Sequence, residues 1–283
     1  MKKEKLMYIG FVVIFYLSIM GIYSTLQNNT IYVKTLGRIT GNYEFENGNR
    51  FLKDTAYKEI NKDNLLNWDA EHYNEIKNNL YQNTSTDNIY LYAFFPLFPM
   101  IWAFFDSLNL SIILINYLLF SISIIILFQL FNTIILNKTE KIKLFILSFC
   151  SPLIIAFFIP YTEATFFFSL TLAIYGFYKK KYWIYFLGMF AASMTRSAIT
   201  IIIISFICTS FLSVVKYVNI KHQFYHFLKL ITPSLAGTMA VCIIQYLYGS
   251  KKLLIYVDAI RTWNNILQIP HNISDWSHES FGI

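Results

Sequence analysis

Apolar residues in this chain gather into seven long runs, about 7–26, 110–136, 144–160, 163–178, 182–195, 197–215 and 227–249. Each is roughly 14–27 residues, too long for a strand and close to the roughly 20 residues that cross a bilayer as a helix. The runs 182–195 and 197–215 are short and Arg196 divides them, so they read either as two short spans in a hairpin or as one long broken helix. Charged residues make up only 14% of the chain, where a soluble domain averages roughly 25%. The first run continues to about Leu26 with no small-residue cleavage site after it, so it reads as a retained helix rather than a signal peptide. The expected fold class is an all-α integral membrane protein, multi-span, with about seven transmembrane helices in one membrane domain over 1–283.

Lysines set the expected orientation. Lys2, Lys3 and Lys5 precede the first run, Lys138, Lys141 and Lys143 fill the 137–143 loop, Lys179, Lys180 and Lys181 fill the next, and Lys216, Lys221 and Lys229 flank 216–229. With all four clusters cytoplasmic the seven spans alternate correctly. Segment 27–109 is then a large extracytoplasmic loop, 110–249 holds transmembrane helices, and 250–283 emerges outside. One stretch, YLYAFFPLFPMIWAFFD (90–106), is left over. Pro96 and Pro99 predict that any helix is confined to the part after Pro99. Counting it as a crossing would put the later lysines outside, so it reads as a re-entrant or interfacial element with its aromatic rings at headgroup level.

The formal net charge of +7 forms no continuous patch, so no nucleic-acid partner is expected. Cys150, Cys208 and Cys242 all lie inside apolar runs and read as small buried hydrophobes, without a disulfide framework or metal spacing.

Four polar stretches carry the candidate chemistry. In LLNWDAEHYNEI (65–76), Leu65, Asp69, His72, Tyr73, Ile76 and Leu80 recur at helical spacing, which predicts an amphipathic surface helix. Asp69, His72 and Tyr73 share a face of it, a carboxylate base beside aromatic rings, with Trp68 adjacent; this suits the handling of a sugar hydroxyl. The plainer reading is a solvated helix with Trp68 as an interfacial anchor. In SPLIIAFFIPYTEATFFF (151–168), Glu163 follows Pro160 and Tyr161 at the edge of hydrocarbon, where a carboxylate needs a partner or a function. It is equally the acid that a helix N-terminus favours. In MTRSA (194–198), Arg196 is the only charge within 182–215; it either grips a phosphate through its planar fork or snorkels at the end of a span. In TWNNILQIPHNISDWSHESFG (262–282), His271, Asp275 and His278 could bind a metal, but their irregular spacing is weak evidence for one; the stretch reads better as a substrate-facing loop, with a plain surface loop as the alternative. There is no GxGxxG, GxxxxGK[ST], HExxH or D-x-D pair, which removes most support for soluble nucleotide chemistry and zinc proteolysis.

Taken in order, WDAEHY, FFPLFP, SP with PYTEA, and TRS resemble the PIG-V-like family, the second GPI mannosyltransferases, within the GT-C glycosyltransferases. The match in order and spacing covers about residues 60–200. The resemblance implies a lipid-phosphate-linked sugar donor, polyprenyl- or dolichyl-phosphate mannose, and a glycolipid or glycan acceptor on the extracytoplasmic face. It implies a catalytic base at Asp69, with Ser151, Pro152, Pro160, Tyr161 and Glu163 and then Thr195, Arg196 and Ser197 as the further motif residues. Trp68, His72, Tyr73, Tyr161, Glu163, Arg196, His271, Asp275 and His278 are the expected substrate-binding residues, and no cofactor or metal is implied. Family members run on with further spans, so a shortened version is expected. The expected location is a bacterial inner membrane, or the endoplasmic reticulum in a eukaryote. A lipid-sugar transporter and a non-catalytic membrane subunit are the rival readings. The first predicts mid-membrane charges on several spans and a repeat between halves, and the sequence contains neither.

Overall fold

The computed structural model describes residues 2–26, 43–46, 49–52, 69–82, 86–130, 138–149, 157, 159–216 and 220–266. These fall into two compact units, Met1–Asn67 and Trp68–Ile283.

The first unit holds helix α1 (Lys2–Leu26), which covers the first apolar run, and a two-stranded antiparallel ribbon, β1 (Tyr43–Glu46) and β2 (Asn49–Leu52). Tyr43 pairs with Leu52 and Glu46 with Asn49. The ribbon is an addition to a fold expected to be all helical, and the intervening sequence, Asn47-Gly48, is the dipeptide that most favours a tight hairpin.

In the second unit the described regular structure is entirely helical. Helix α2 (Asp69–Asn79) is followed by a 3₁₀ turn (Thr86–Ala93) and helix α3 (Leu97–Ser107). Helices α4 (Ile112–Leu130), α5 (Lys138–Phe149), α6 (Glu163–Tyr178), α7 (Tyr182–Thr195), α8 (Ile199–Lys216), α9 (Ile220–Tyr248) and α10 (Ile255–Ile266) complete it. Among the described residues two helical stretches are long and apolar enough to cross a membrane, Ile112–Leu130 and Phe224–Tyr248.

Two boundaries depart from expectation. Helix α3 begins at Leu97 and so contains Pro99, because the first turn of a helix has no intrahelical use for the missing N–H. Helix α9 begins at Ile220 rather than 227 and draws Lys221 and Lys229 into helix. The 182–215 stretch is two helices separated by Arg196, whose backbone is extended at φ −150° and ψ 146°; α7 and α8 each pack on α9.

Helices α6, α7 and α9 pack closely because their facing sides are small. Helix α6 buries Ala164, Thr165, Ser169, Thr171, Ala173 and Gly176. A Cβ added to Gly188 of α7 would strike the backbone of Ala173 and lie 2.7 Å from the Ser169 carbonyl. One added to Gly237 of α9 would lie 2.5 Å from the Phe190 carbonyl. This is the small-residue packing by which helices associate where burial of apolar surface gives no drive.

The outer surface has the complementary pattern. Helix α9 buries Ser234 and Gln245 completely while Leu235, Met239, Ile243 and Leu247, spaced four apart, stay about half exposed. Helix α4 buries Asn116, Ser121 and Ser123 and exposes Leu118 and Ile122. Helix α7 exposes Trp183 and Leu187. Of the cysteines, Cys242 is buried as expected, but Cys208 is exposed, on a face of α8 that it shares with Ile201 and Ile204.

Candidate functional site

Helix α2 starts at Asp69 because its first turn is acidic, Asp69 and Glu71, and its last turn carries Lys77, both matched to the helix dipole. Its burial is set by Ala70, Tyr73 and Ile76, each three apart. Tyr73 meets Phe94 edge-on at 5.3 Å and Phe98 at 5.4 Å, while His72 lies 4.6 Å from the Phe94 ring and 5.3 Å from Tyr90. Further along, Lys77 Nζ donates to Asp106 Oδ2 at 2.8 Å and lies 5.2 Å from the Trp102 ring centre. Helix α2 therefore rests on the aromatic 90–106 stretch along its whole length. The helix begins at Asp69, so the expected turn from Leu65 lies outside the described residues, as does Trp68.

The second strand of the site comes from the turn ahead of α6. The Tyr161 N–H donates to the Ile159 carbonyl at 2.7 Å, a tight turn about Pro160. Thr162 occupies the N-cap of α6 yet makes no capping bond; its side chain is hydrogen-bonded to the Tyr73 hydroxyl instead. Glu163 follows as the first helical residue. Its Oε1 accepts from Nη1 of Arg196, an ion pair spanning 33 residues, while its Oε2 is buried without a partner among the described residues. Arg196 reaches it because α7 ends at Thr195 and the next residue turns out into extended backbone.

Three sequence-distant segments thus converge. Asp69, His72 and Tyr73 come from α2, Tyr161, Thr162 and Glu163 from the Pro160 turn, and Arg196 from the α7–α8 break. Burial pushes the Asp69 carboxyl above its ordinary range and the Glu163 carboxylate adds to this, while His72 and Arg196 pull it back. Burial lowers His72 despite Asp69, Glu75 and Glu71, which makes it a neutral ring at pH 7 rather than a cation for a phosphate. Burial raises the Tyr73 hydroxyl, and it raises Tyr161 to about 12, so both are neutral donors. Burial alone would lower Arg196, but the Glu163 carboxylate outweighs it and the guanidinium is held charged. Such an arrangement offers a proton acceptor of raised basicity, aromatic walls and a fixed cation within one electrostatic neighbourhood.

Among the expected residues, Asp69, His72, Tyr73, Tyr161, Glu163 and Arg196 are brought together. Trp68, Ser151, Pro152, His271, Asp275 and His278 lie outside the described residues. Thr195 is buried with its hydroxyl turned back onto the Ala191 carbonyl, and Ser197 is exposed beside Arg196. Two members were missed by the sequence reading: Thr162, legible as a hydroxyl inside the PYTE stretch, and Phe94, one of the aromatic rings of the 90–106 stretch. Among the described residues no group of three or more His, Cys, Asp or Glu is placed to hold a metal ion. Comparison with family models, with curated proteins and with solved structures finds no match for this chain.

Proposed function

We propose that this chain is a membrane glycosyltransferase of the GT-C type, similar to the PIG-V-like mannosyltransferases. It moves a sugar, mannose by that resemblance, from a polyprenyl- or dolichyl-phosphate donor to a glycolipid or glycan acceptor on the extracytoplasmic face. The observation that carries the reading is the convergence of Asp69 with the Glu163–Arg196 pair, three charges drawn from separate polar interruptions of an apolar chain. Burying them together is costly unless they serve a purpose.

The burial pattern supports an integral membrane protein; the reading of about seven spans rests on the apolar runs and lysine clusters, and a bacterial cell membrane or the endoplasmic reticulum on the resemblance. Polar residues of α4, α6, α7 and α9 such as Asn116, Ser169, Ser193 and Gln245 are buried, while large apolar ones such as Leu118, Ile174, Leu187 and Leu247 face outward. In water that surface would aggregate; in lipid it is the expected solvent-facing side.

In the reaction the acceptor hydroxyl gives its proton to Asp69 as its oxygen attacks the anomeric carbon. The bond from that carbon to the lipid phosphate breaks, and the phosphate leaves with the electron pair. Arg196, held charged by Glu163, meets the charge that develops on it. A single displacement inverts the anomeric centre. Tyr161 and the half-buried His72 offer apolar faces to sugar C–H groups, and Glu163 holds Arg196. Membranes holding the chain should transfer label from a radiolabelled polyprenyl-phosphate mannose to lipid-extractable or glycan product with inversion. Retention, or label that crosses the membrane without transfer, contradicts the reading, the latter in favour of a transporter.

A further inference from the structure

Helix α4 is 19 residues of nearly unbroken apolar sequence, and Asn116 sits inside it with no exposed surface. An amide moved from water to such a place costs a few kcal/mol unless bonded, so its partners are informative. Four buried hydroxyls elsewhere in these helices turn back onto their own helix four residues earlier. Ser123 donates to Leu119, Ser169 to Thr165, Ser193 to Met189 and Thr195 to Ala191. Asn116 does not. Its Nδ2 donates to the Ile159 carbonyl at 2.7 Å and is 3.4 Å from the Tyr161 carbonyl, more than forty residues away.

These two carbonyls flank Pro160, the centre of the turn that delivers Thr162 to Tyr73 and Glu163 to Arg196. Pro160 has no N–H of its own to brace that turn. We infer that Asn116 is a positioning residue, clamping the Pro160 turn so that Glu163 and Thr162 hold Arg196 and Tyr73 in the geometry the site needs. Its effect on rate rests on the transferase reading above, whereas the clamp itself does not. Its Oδ1 is buried with no partner among the described residues, so the amide is held by the bonds that its Nδ2 donates.

The test compares Asn116→Leu with Ser121→Ala. Ser121 is buried on the same helix, and its hydroxyl has no partner among the described residues. Each is made in the full chain, with extracted protein level and melting checked. Two readouts are taken. The first is transfer from polyprenyl-phosphate mannose, with kcat separated from KM. The second is labelling of Thr162→Cys by a membrane-impermeant maleimide, with Cys150, Cys208 and Cys242 replaced by Ser. Thr162 is 1% exposed, so the starting rate is slow.

Asn116→Leu should speed labelling on the order of tenfold. It should lower kcat on the order of ten- to a hundredfold with KM little changed, as a small misplacement of reacting groups does. Ser121→Ala should leave both unchanged. Labelling unaltered by Asn116→Leu overturns the clamp, whatever the transfer assay gives. Faster labelling with unaltered kcat overturns its role in the reaction. Faster labelling in a chain whose wild type transfers no sugar supports the clamp and removes the transferase reading.

Discussion

The bundle of α6, α7 and α9 and the α2–Pro160–Arg196 region satisfy their buried polar groups in opposite ways. In the bundle most of the bonded hydroxyls take a carbonyl four residues back in their own helix, so each helix is nearly self-sufficient and packs by shape, through Gly188 and Gly237. In the site the bonds run between distant segments: Glu163 to Arg196, Thr162 to Tyr73, Asn116 to the Pro160 turn. Two further ties lie close to the aromatic stretch, where the buried Gln245 of α9 donates to the Tyr92 carbonyl at 2.8 Å and Tyr81 donates to the Phe94 carbonyl at 2.7 Å. Local bonds make a framework tolerant of sequence change; long ones tie particular residues together and are worth their desolvation only where a geometry must be held.

That contrast predicts where substitutions hurt. Arg196→Ala should be the most damaging, leaving Glu163 unpaired and, in the proposed reaction, the departing phosphate uncompensated, with transfer reduced on the order of 10²–10³-fold. Arg196→Lys should recover only part of this, since an ammonium lacks the planar fork. Equal rates for Arg196→Ala and wild type would remove Arg196 from the reaction. Gln245→Leu comes next: it strands the Tyr92 carbonyl in a buried place and should cost about 1–3 kcal/mol of stability, read as earlier thermal aggregation of detergent-solubilised protein.

A smaller effect is expected in pH dependence. As the proposed base, Asp69 would act only when deprotonated, and its titration is raised, so kcat/KM should fall as pH drops through a value above the ordinary carboxylate range. Glu163→Gln removes a charge that raises Asp69 and releases Arg196, which lowers it; the acid limb should therefore move to lower pH. A limb unmoved by Glu163→Gln would separate the two carboxylates. Least of all should Ser193→Ala matter, within about 0.5 kcal/mol, because its hydroxyl serves only its own helix. A large loss there would erase the distinction between framework and site.

How much of this was legible in the sequence follows the same division. Helices α6 and α7 have the boundaries of their apolar runs because Glu163, Lys179–Lys181 and Arg196 punctuate them. The start of α9 was not legible: residues 220–226 are mixed in character, and helix continues through them. Pro99 was misread as a barrier because a first-turn position costs it nothing. The local signal for the ribbon is the Asn47-Gly48 dipeptide between β1 and β2, which the long apolar runs on either side outweigh in the overall pattern. Of the site, Asp69, Glu163 and Arg196 stood out as charges interrupting apolar sequence. Asn116 did not, because its meaning lies in a turn more than forty residues away that no local pattern announces.

The most direct test of the central claim is sugar transfer from radiolabelled polyprenyl-phosphate mannose in membranes holding equal amounts of wild type or Asp69→Asn. Loss of transfer in Asp69→Asn, with protein level and melting unchanged, is the predicted result. Equal transfer by the two would contradict the assignment of Asp69 as the base.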